Sequence, residues 1–481
     1  MRGYRRLIAG VFAFGTACVA SSFPHTPVAL ASSAPVAIRG IIEGFYGPPW
    51  TNQERIGLFQ FMQRENLNTY VYAPKDDPYQ RVDWRAPYPA ARLAQMKALV
   101  SAAQRDRVQF VYSISPGMTG TSASAMQESI TYSSPSDRKT LEAKINQLRS
   151  VGVHTFMLSF DDIETTLKPA DEKVYGANYA KAQMALANQI LSDERKLDPR
   201  FQLWLTPTSY YGLIDGPYWQ TLRSTLSPTI QVIWTGKWVL NATITSEQAQ
   251  TITRLLGRKP ILWDNYPVND YTYDPNMSHQ LMMGPLQGRD PSLLNHVSGY
   301  ISNPMLQPEA SKLALTTIAD YLRNPGSYEP KEDWLKSIAK MPGVTNAALF
   351  ETFAEFNTTS VLNPTGYAPT TAMISAFWGA AAKSQRASAE NRLRAEFRTL
   401  AKLPATLPPT ISDKELLREI QPWLTKLGEE GQGGLDALNV IDQPTESNKQ
   451  VLVKQIRLVN ASPYEIGSDI VAFMQKVANR S

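Results

Sequence analysis

The chain of 481 residues is nearly without thiols; Cys18 is its one cysteine. Of four histidines, His154, His279 and His296 lie beyond the N-terminal segment, with no ligand-like spacing among them. These shortages leave no basis for a disulfide framework or a Cys/His metal centre. No Gly-rich phosphate loop of Walker or dinucleotide type occurs, and no cofactor is expected. Charged residues make up only 19% of the chain, and no basic patch interleaves with aromatics, which argues against nucleic-acid binding. No run of ~18 apolar residues, the length that spans a bilayer, is present.

The N-terminus has the layout of a secretory signal peptide. Arg2, Arg5 and Arg6 form a basic start, Leu7 to Ala20 a short apolar stretch, and Ala29-Leu30-Ala31 a small-x-small cleavage site before Ser32. Removal of residues 1–31 takes three arginines and no acids, so the formal charge falls from +5 to +2 and the only cysteine is lost. The expectation is a secreted protein with no stable membrane insertion after processing. Lipid anchoring at Cys18 is the weaker option, because Gly15-Thr16-Ala17 lacks the large aliphatic residue expected three positions before a lipid-bearing cysteine.

What the chain has in quantity is apolar and aromatic residues: 43% hydrophobic, with 21 Tyr, 16 Phe and 10 Trp. Apolar or β-branched runs recur at Val36–Glu43, Leu67–Ala73, Val108–Ser115, Val153–Phe160, Phe201–Thr206, Ile230–Thr235, Ile261–Asn265 and Val297–Ser302. Between them lie helical patterns, among them Asn52–Glu65, Pro89–Asp106, Ser136–Val151, Tyr179–Lys196 and Ser246–Leu256. Thr51 with Glu54 three residues later reads as a capping box. Short continuous apolar strands alternating with helices indicate a parallel sheet covered on both faces. Eight such units predict an α/β (β/α)8 TIM barrel over residues 32–325, with a doubly wound open sheet as the alternative. From residue 326 to 481 the pattern becomes helical, at Ala372–Leu400, Asp413–Leu427 and Ser447–Val477, with Glu430-Gly431-Gln432-Gly433-Gly434 read as a turn. This predicts a separate all-α bundle domain.

The predicted strand ends gather an unusual set of side chains. Asp161-Asp162 stands where the apolar run Thr155–Phe160 stops. A like-charge neighbour and partial burial both raise a carboxyl pKa, as a general acid requires near neutral pH. The same dipeptide alone reads equally as a solvated strand end or a helix N-cap. Other ends give Glu43-Gly44-Phe45-Tyr46, Lys75-Asp76-Asp77, Thr208-Ser209-Tyr210-Tyr211, Trp263-Asp264-Asn265 with Asn269-Asp270-Tyr271, and Ser302-Asn303-Pro304. Singly, these read as turn glycines, a charged loop or core aromatics. Together they suit a polyhydroxylated ligand, with amides and carboxylates for hydroxyls and aromatics for ring faces.

These motifs resemble those of glycoside hydrolase family 84, the O-GlcNAcases and bacterial hyaluronidase-like β-N-acetylglucosaminidases. The resemblance lies in Arg39–Trp50, Asn68–Asp77, Phe160–Ile163, Trp263–Asn265 with Asn269–Tyr271, and Ser302–Pro304, and runs from about Ile38 to Tyr321. It implies a retaining exo-β-N-acetylglucosaminidase in which the substrate's 2-acetamido group is the nucleophile and an oxazoline the intermediate. Asp161 would hold the acetamido N–H; Asp162 would protonate the leaving oxygen, then activate water. Asp161 must then start ionised and Asp162 protonated. Gly44, Phe45, Tyr46, Lys75, Tyr210, Trp263, Asn265, Asp270, Tyr271 and Asn303 are the residues expected to contact the sugar. The expected partners are GlcNAc-containing glycans or glycoproteins, and no oligomeric state is implied. An endo-acting hyaluronan or chitin hydrolase and a non-catalytic secreted glycan-binding protein are the competing readings. The Tyr210 loop is less distinctive than the other motifs.

Overall fold

A computed structural model of the chain describes residues 36–117, 128–364 and 366–480. The expected signal peptide and Cys18 lie outside the described residues. Eight strands close into one parallel barrel in chain order: β1 Ile38–Glu43, β2 Thr69–Tyr72, β3 Gln109–Ile114, β4 Thr155–Ser159, β5 Gln202–Thr206, β6 Gln231–Trp234, β7 Ile261–Asp264 and β8 Gly299–Ser302. β1 pairs with β8 through Ile38 opposite Gly299, which closes the ring and excludes the open sheet. Each strand lies within the apolar run that predicted it.

The barrel interior is filled by Ile42, Val71, Ala73, Val111, Met157, Trp204, Ile233, Ile261, Trp263 and Ile301. The next residue in β1, Glu43, meets Arg55 on the covering helix instead. This alternation of facing is the two-residue period of a strand. Helices α1 Asn52–Arg64, α2 Ala90–Arg105, α3 Pro135–Arg149, α4 Pro169–Tyr175, α5 Tyr179–Leu197, α6 Pro217–Thr225 and α7 Ser246–Leu256 lie between the strands. Thr51 caps α1 reciprocally with Glu54, so the capping box forms as the sequence predicts.

After β8 come α8 Pro308–Arg323, α9 Pro330–Ala339, α10 Ala347–Glu355, α11 Thr370–Gly379, α12 Lys383–Thr406, α13 Lys414–Asp442, α14 Glu446–Ala461 and α15 Ile470–Ala478. The chain divides into two compact units. One holds the residues up to Asn265 with Gly288–Leu306 and Ala319–Tyr328; the other holds Tyr266–Gln287, Gln307–Ile318 and the residues from Glu329 onward. Among the described residues no helix is long and apolar enough to cross a membrane.

Three helical expectations are corrected, the first being Ser447–Val477, which is divided between α14 and α15. The Ala372–Leu400 pattern is divided between α11 and α12. The glycines at 431, 433 and 434 do not make a turn; α13 runs unbroken through them. Their role is close approach. A Cβ on Gly428 would stand 2.4 Å from Pro404 Cγ, one on Gly431 2.6 Å from the Ala401 nitrogen, and one on Gly434 2.6 Å from the Phe397 ring. The three lie at helical i, i+3 spacing, so α13 offers α12 a face without side chains. Propensity favours alanine in a helix by about 1 kcal/mol, but overpacking costs about 1–3 kcal/mol, and at Gly431 the obstacle is backbone that cannot rotate away. Gly431→Ala is therefore expected to lower stability in urea unfolding. A gain in stability would show that the close packing is not limiting.

Candidate active site

Asp161 and Asp162 follow β4 directly. Phe160 still donates its N–H to Thr206 O at 2.8 Å, so the strand geometry persists to the first aspartate's edge. Asp162 then adopts φ 55°, the left-handed region that few non-glycine residues enter. Backbone held there clusters at functional sites, where it re-aims a side chain. The two adjacent carboxylates take separate partners. Lys75, three residues past β2, forms a buried ion pair with Asp161 Oδ2. Asp161 Oδ1 is buried with no hydrogen-bond partner among the described residues. Asp162 Oδ2 accepts from the Tyr46 hydroxyl at 2.8 Å and its Oδ1 from the Tyr210 hydroxyl at 2.9 Å. Arg81 in turn donates to the Tyr46 oxygen at 3.3 Å.

The charge state of Asp162 differs from the sequence expectation. Burial does act to raise its carboxyl, but Lys75, the Tyr46 and Tyr210 hydroxyls and Arg81 outweigh it and hold the group below the ordinary aspartate range. In the free protein Asp162 is therefore ionised at neutral pH, not protonated. The sign for stability follows: its contribution is present above an unfolded aspartate's pKa of about 4 and is lost as pH falls through the lower folded value. Burial and the neighbouring Asp162 charge push the Tyr46 hydroxyl well up, so it stays a donor.

The second half of the mouth is a hydrogen-bonded belt. Asn265 Oδ1 accepts from Trp263 Nε1 at 2.8 Å and from Asn303 Nδ2 at 2.9 Å, while Asn265 Nδ2 donates to Val239 O at 2.8 Å. Asn303 Oδ1 accepts from the Gly44 N–H at 3.2 Å. Four loops, after β1, β6, β7 and β8, are thereby tied together. Gly44 is glycine because a Cβ there would stand 2.5 Å from Trp263 Cζ2. Buried carboxylates behind the belt fix two of the loops. Glu43 takes Arg55 through both oxygens, at 2.8 and 2.7 Å, and accepts from the Trp50 N–H at 3.1 Å. Asp264 takes Arg289 at 2.8 and 2.7 Å, and Arg289 also donates to Ala242 O and Asn241 O in the loop after β6.

A cavity opens between these halves. Its lining brings together Gly44, Tyr46, Lys75, Asp161, Asp162, Tyr210, Trp263, Asn265 and Asn303 from the predicted set. Phe45 is not among them; it is fully buried against Trp50, with ring centroids 5.4 Å apart. Asp270 and Tyr271 begin a 3-10 turn of the second unit and are buried there. Thr235 and Val239 also line the cavity, and sequence reasoning passed over them although Thr235 ends the predicted sixth strand. Arg81 was missed as well, since it lies in an irregular loop with no motif around it.

A carboxylate with one open oxygen, a second carboxylate between two phenols, and an amide and indole wall form a site for a neutral, hydroxyl-rich ring. Comparison with known proteins agrees. Residues 39–355 match the family described as beta-N-acetylglucosaminidase. The chain belongs to that family, glycoside hydrolase family 84. Residues 370–471 match a second family, described as hyaluronidase post-catalytic domain-like. Protein O-GlcNAcases of Rattus norvegicus and Mus musculus are each 34% identical over 291 residues, which is 59% of this chain and 30% of theirs. The match thus spans under a third of the length of these relatives. A Thermobaculum terrenum O-GlcNAc hydrolase, solved as a mutant, superposes with a TM-score of 0.83 at 32% identity, over 93% of this chain and 95% of that one. The structure of CpGH84B superposes with a TM-score of 0.76 at 30% identity, over 92% of this chain and 77% of that one.

The belt makes Asn303 a keystone of this family member's mouth. Asn303→Ala removes one of the two acceptors of the Gly44 N–H, which also reaches Ile42 O at 2.9 Å, and frees one lone pair of Asn265, at a cost of about 0.5–1.5 kcal/mol. The expected result is a lower urea midpoint at unchanged slope. An unchanged midpoint would mean that the belt contributes nothing to stability.

Proposed function

We propose that the chain is a retaining exo-β-N-acetylglucosaminidase that releases terminal β-linked GlcNAc, with the substrate's acetamide as nucleophile. The observation that carries this reading is Asp161: it lines the cavity, its Oδ2 is held by Lys75, and its Oδ1 is buried without a partner among the described residues. A buried open acceptor needs a donor, and the acetamido N–H supplies one. Holding that N–H turns the acetamide oxygen toward C1 and favours the positive charge that develops on the group. The oxygen attacks C1 as the glycosidic C1–O bond breaks, and Asp162 gives its proton to the departing oxygen. Water then attacks C1 and loses its proton to Asp162, while the oxazoline C1–O bond breaks and the acetamide reforms. Two displacements at one carbon retain its configuration.

Adjacent carboxylates on one strand end suit this route better than a protein nucleophile, which needs to stand across the bond from the acid at a separation of about 5 Å. The cavity, enclosed by the amide belt, supports attack at a chain end. The N-terminal signal pattern supports export, which makes glycans and glycoproteins outside the cell the expected substrates.

Two measurements test the assignment. Across aryl and alkyl β-GlcNAc glycosides, Asp162→Asn is expected to lose little activity on the best leaving groups and several hundredfold or more on the poorest, within the range of about 10²–10⁴ typical of general acids. Asp161→Asn is expected to lose activity on all of them. Equal losses for every leaving group in Asp162→Asn would remove the acid role.

The second measurement is the pH–rate profile. Asp162 is depressed in the free protein, so its protonated fraction declines from the acid side upward. Substrate expels water from the cavity, and desolvation favours the neutral acid. The basic limb of kcat is therefore expected at higher pH than that of kcat/KM, since the first reports the complex and the second the free protein. Coincident limbs would mean that substrate does not alter Asp162.

A further inference from the structure

The helical unit contains a cation cluster that the proposed hydrolysis does not use. Trp378 near the end of α11, Arg386 on α12, and Lys476 and Arg480 on and after α15 converge on one point. The Arg386 guanidinium lies 5.5 Å, the Lys476 ammonium 4.5 Å and the Arg480 guanidinium 4.7 Å from the Trp378 ring centroid. Phe377 and Phe473 pack on the same indole, with centroids 5.0 and 5.7 Å away, and fix its position. The three cations are thus no more than about 10 Å from one another, roughly a Debye length at 0.1 M salt. Other cations of this unit have carboxylate partners: Arg394 with Glu390 and Asp442, Arg418 with Glu415, and Lys426 with Glu430. Among the described residues no carboxylate pairs with Arg386, Lys476 or Arg480.

A second observation points to an absent acceptor. Trp378 Nε1 is buried and has no hydrogen-bond partner among the described residues. Cation–π contact is a weak attraction for each cation, including Arg386, which also lies 4.2 Å from the Phe377 ring centroid, whereas three like charges repel one another at this range. The arrangement is therefore short of negative charge and of an acceptor at the same place. Indole N–H, ammonium and guanidinium are all donors and none can accept, so the complementary ligand is an anion rich in acceptors.

We propose that Arg386, Lys476 and Arg480, gathered round Trp378, bind the anionic group of an acidic glycan, a uronate or sulfated sugar. Three cations on one ring match one or two anionic groups. They do not match a duplex, whose phosphates recur along an extended face, and the chain's 48 basic against 43 acidic residues leave little general attraction for a polyanion. The choice of a glycan rests on the proposed glycosidase reading; the cluster's need for an anion does not.

The test uses the full chain and an oligogalacturonate hexamer, which carries carboxylates but no acetamide. Binding is followed by calorimetry, with neutral chitohexaose and a short DNA duplex as parallel probes. The unmodified chain is expected to bind the hexauronate with an affinity that falls as salt rises. In the triple variant R386Q/K476Q/R480Q that affinity should fall at least about tenfold, as when a hydrogen-bonded charge pair loses a partner. Chitohexaose binding and hydrolysis of an aryl β-GlcNAc should be unaffected, so loss of the glycosidase reading and loss of this one give different results. Without ligand the triple variant should melt no lower than the parent, because repulsion has been removed; a clearly lower melting temperature would make the cluster a structural cation–π element and overturn the proposal. Hexauronate binding that is absent, or equal in parent and variant, overturns it too. DNA binding as tight as the hexauronate's and equally sensitive to the triple substitution would overturn the glycan assignment.

Discussion

The ion pair between Lys75 and Asp161 joins the loop after β2 to the end of β4 and sets the charge balance of the barrel mouth. A carboxylate taken from water costs several kcal/mol, and the pair offsets that cost only because it is close and direct. Lys75 is also the foremost influence lowering the Asp162 carboxyl. One ammonium thus compensates two adjacent negative charges. Its contact is with Oδ2 of Asp161, however, and Oδ1 stays buried without a donor among the described residues. The same contact that makes the aspartate tolerable also makes it receptive to a donor.

The amides opposite are used differently from what their residue type suggests. An asparagine side chain offers two N–H donors and two lone pairs. Asn265 spends both lone pairs and one N–H on Trp263, Asn303 and Val239, so one N–H remains. Asn303 has committed one lone pair to Gly44 and one N–H to Asn265. These residues first of all hold four loops in register, and Glu43 and Asp264 brace the belt from behind through Arg55 and Arg289. The wall of the cavity is therefore set before any ligand arrives, which is what orienting a small rigid ring demands.

The barrel was legible because each strand is buried on both sides and so written as a continuous apolar run. The site was legible at strand ends, where polar residues interrupt those runs. What could not be read is what depends on long-range approach. Asp162 looks acid-raised from its own neighbourhood, but Lys75, Tyr46 and Tyr210 come from elsewhere in the chain, the two tyrosines 116 and 48 residues away, and they reverse the sign. Thr235 and Val239 carry no catalytic signature of their own. The glycines of α13 read as a turn because glycine is a poor helix former, whereas in the fold their missing side chains make room for Ala401 and Phe397. Local propensity was correct about their cost and silent about the partner that outweighs it.

A depressed Asp162 is compatible with an acid role because population and strength pull in opposite directions. A lower pKa leaves fewer molecules protonated at neutral pH, yet each protonated one surrenders its proton more readily to a weakly basic glycosidic oxygen. Tyr46 and Tyr210 donate to the carboxylate and not to the acid, so they stabilise the state reached after proton transfer. When one oxygen carries the proton, the hydroxyl facing it must turn away or accept, and that lost bond returns as the proton leaves. A sugar that fills the cavity adds desolvation, which pushes the pKa up while the phenols continue to favour the ionised product. The protonated fraction is then restored by binding, and the drive to release the proton is retained by the protein.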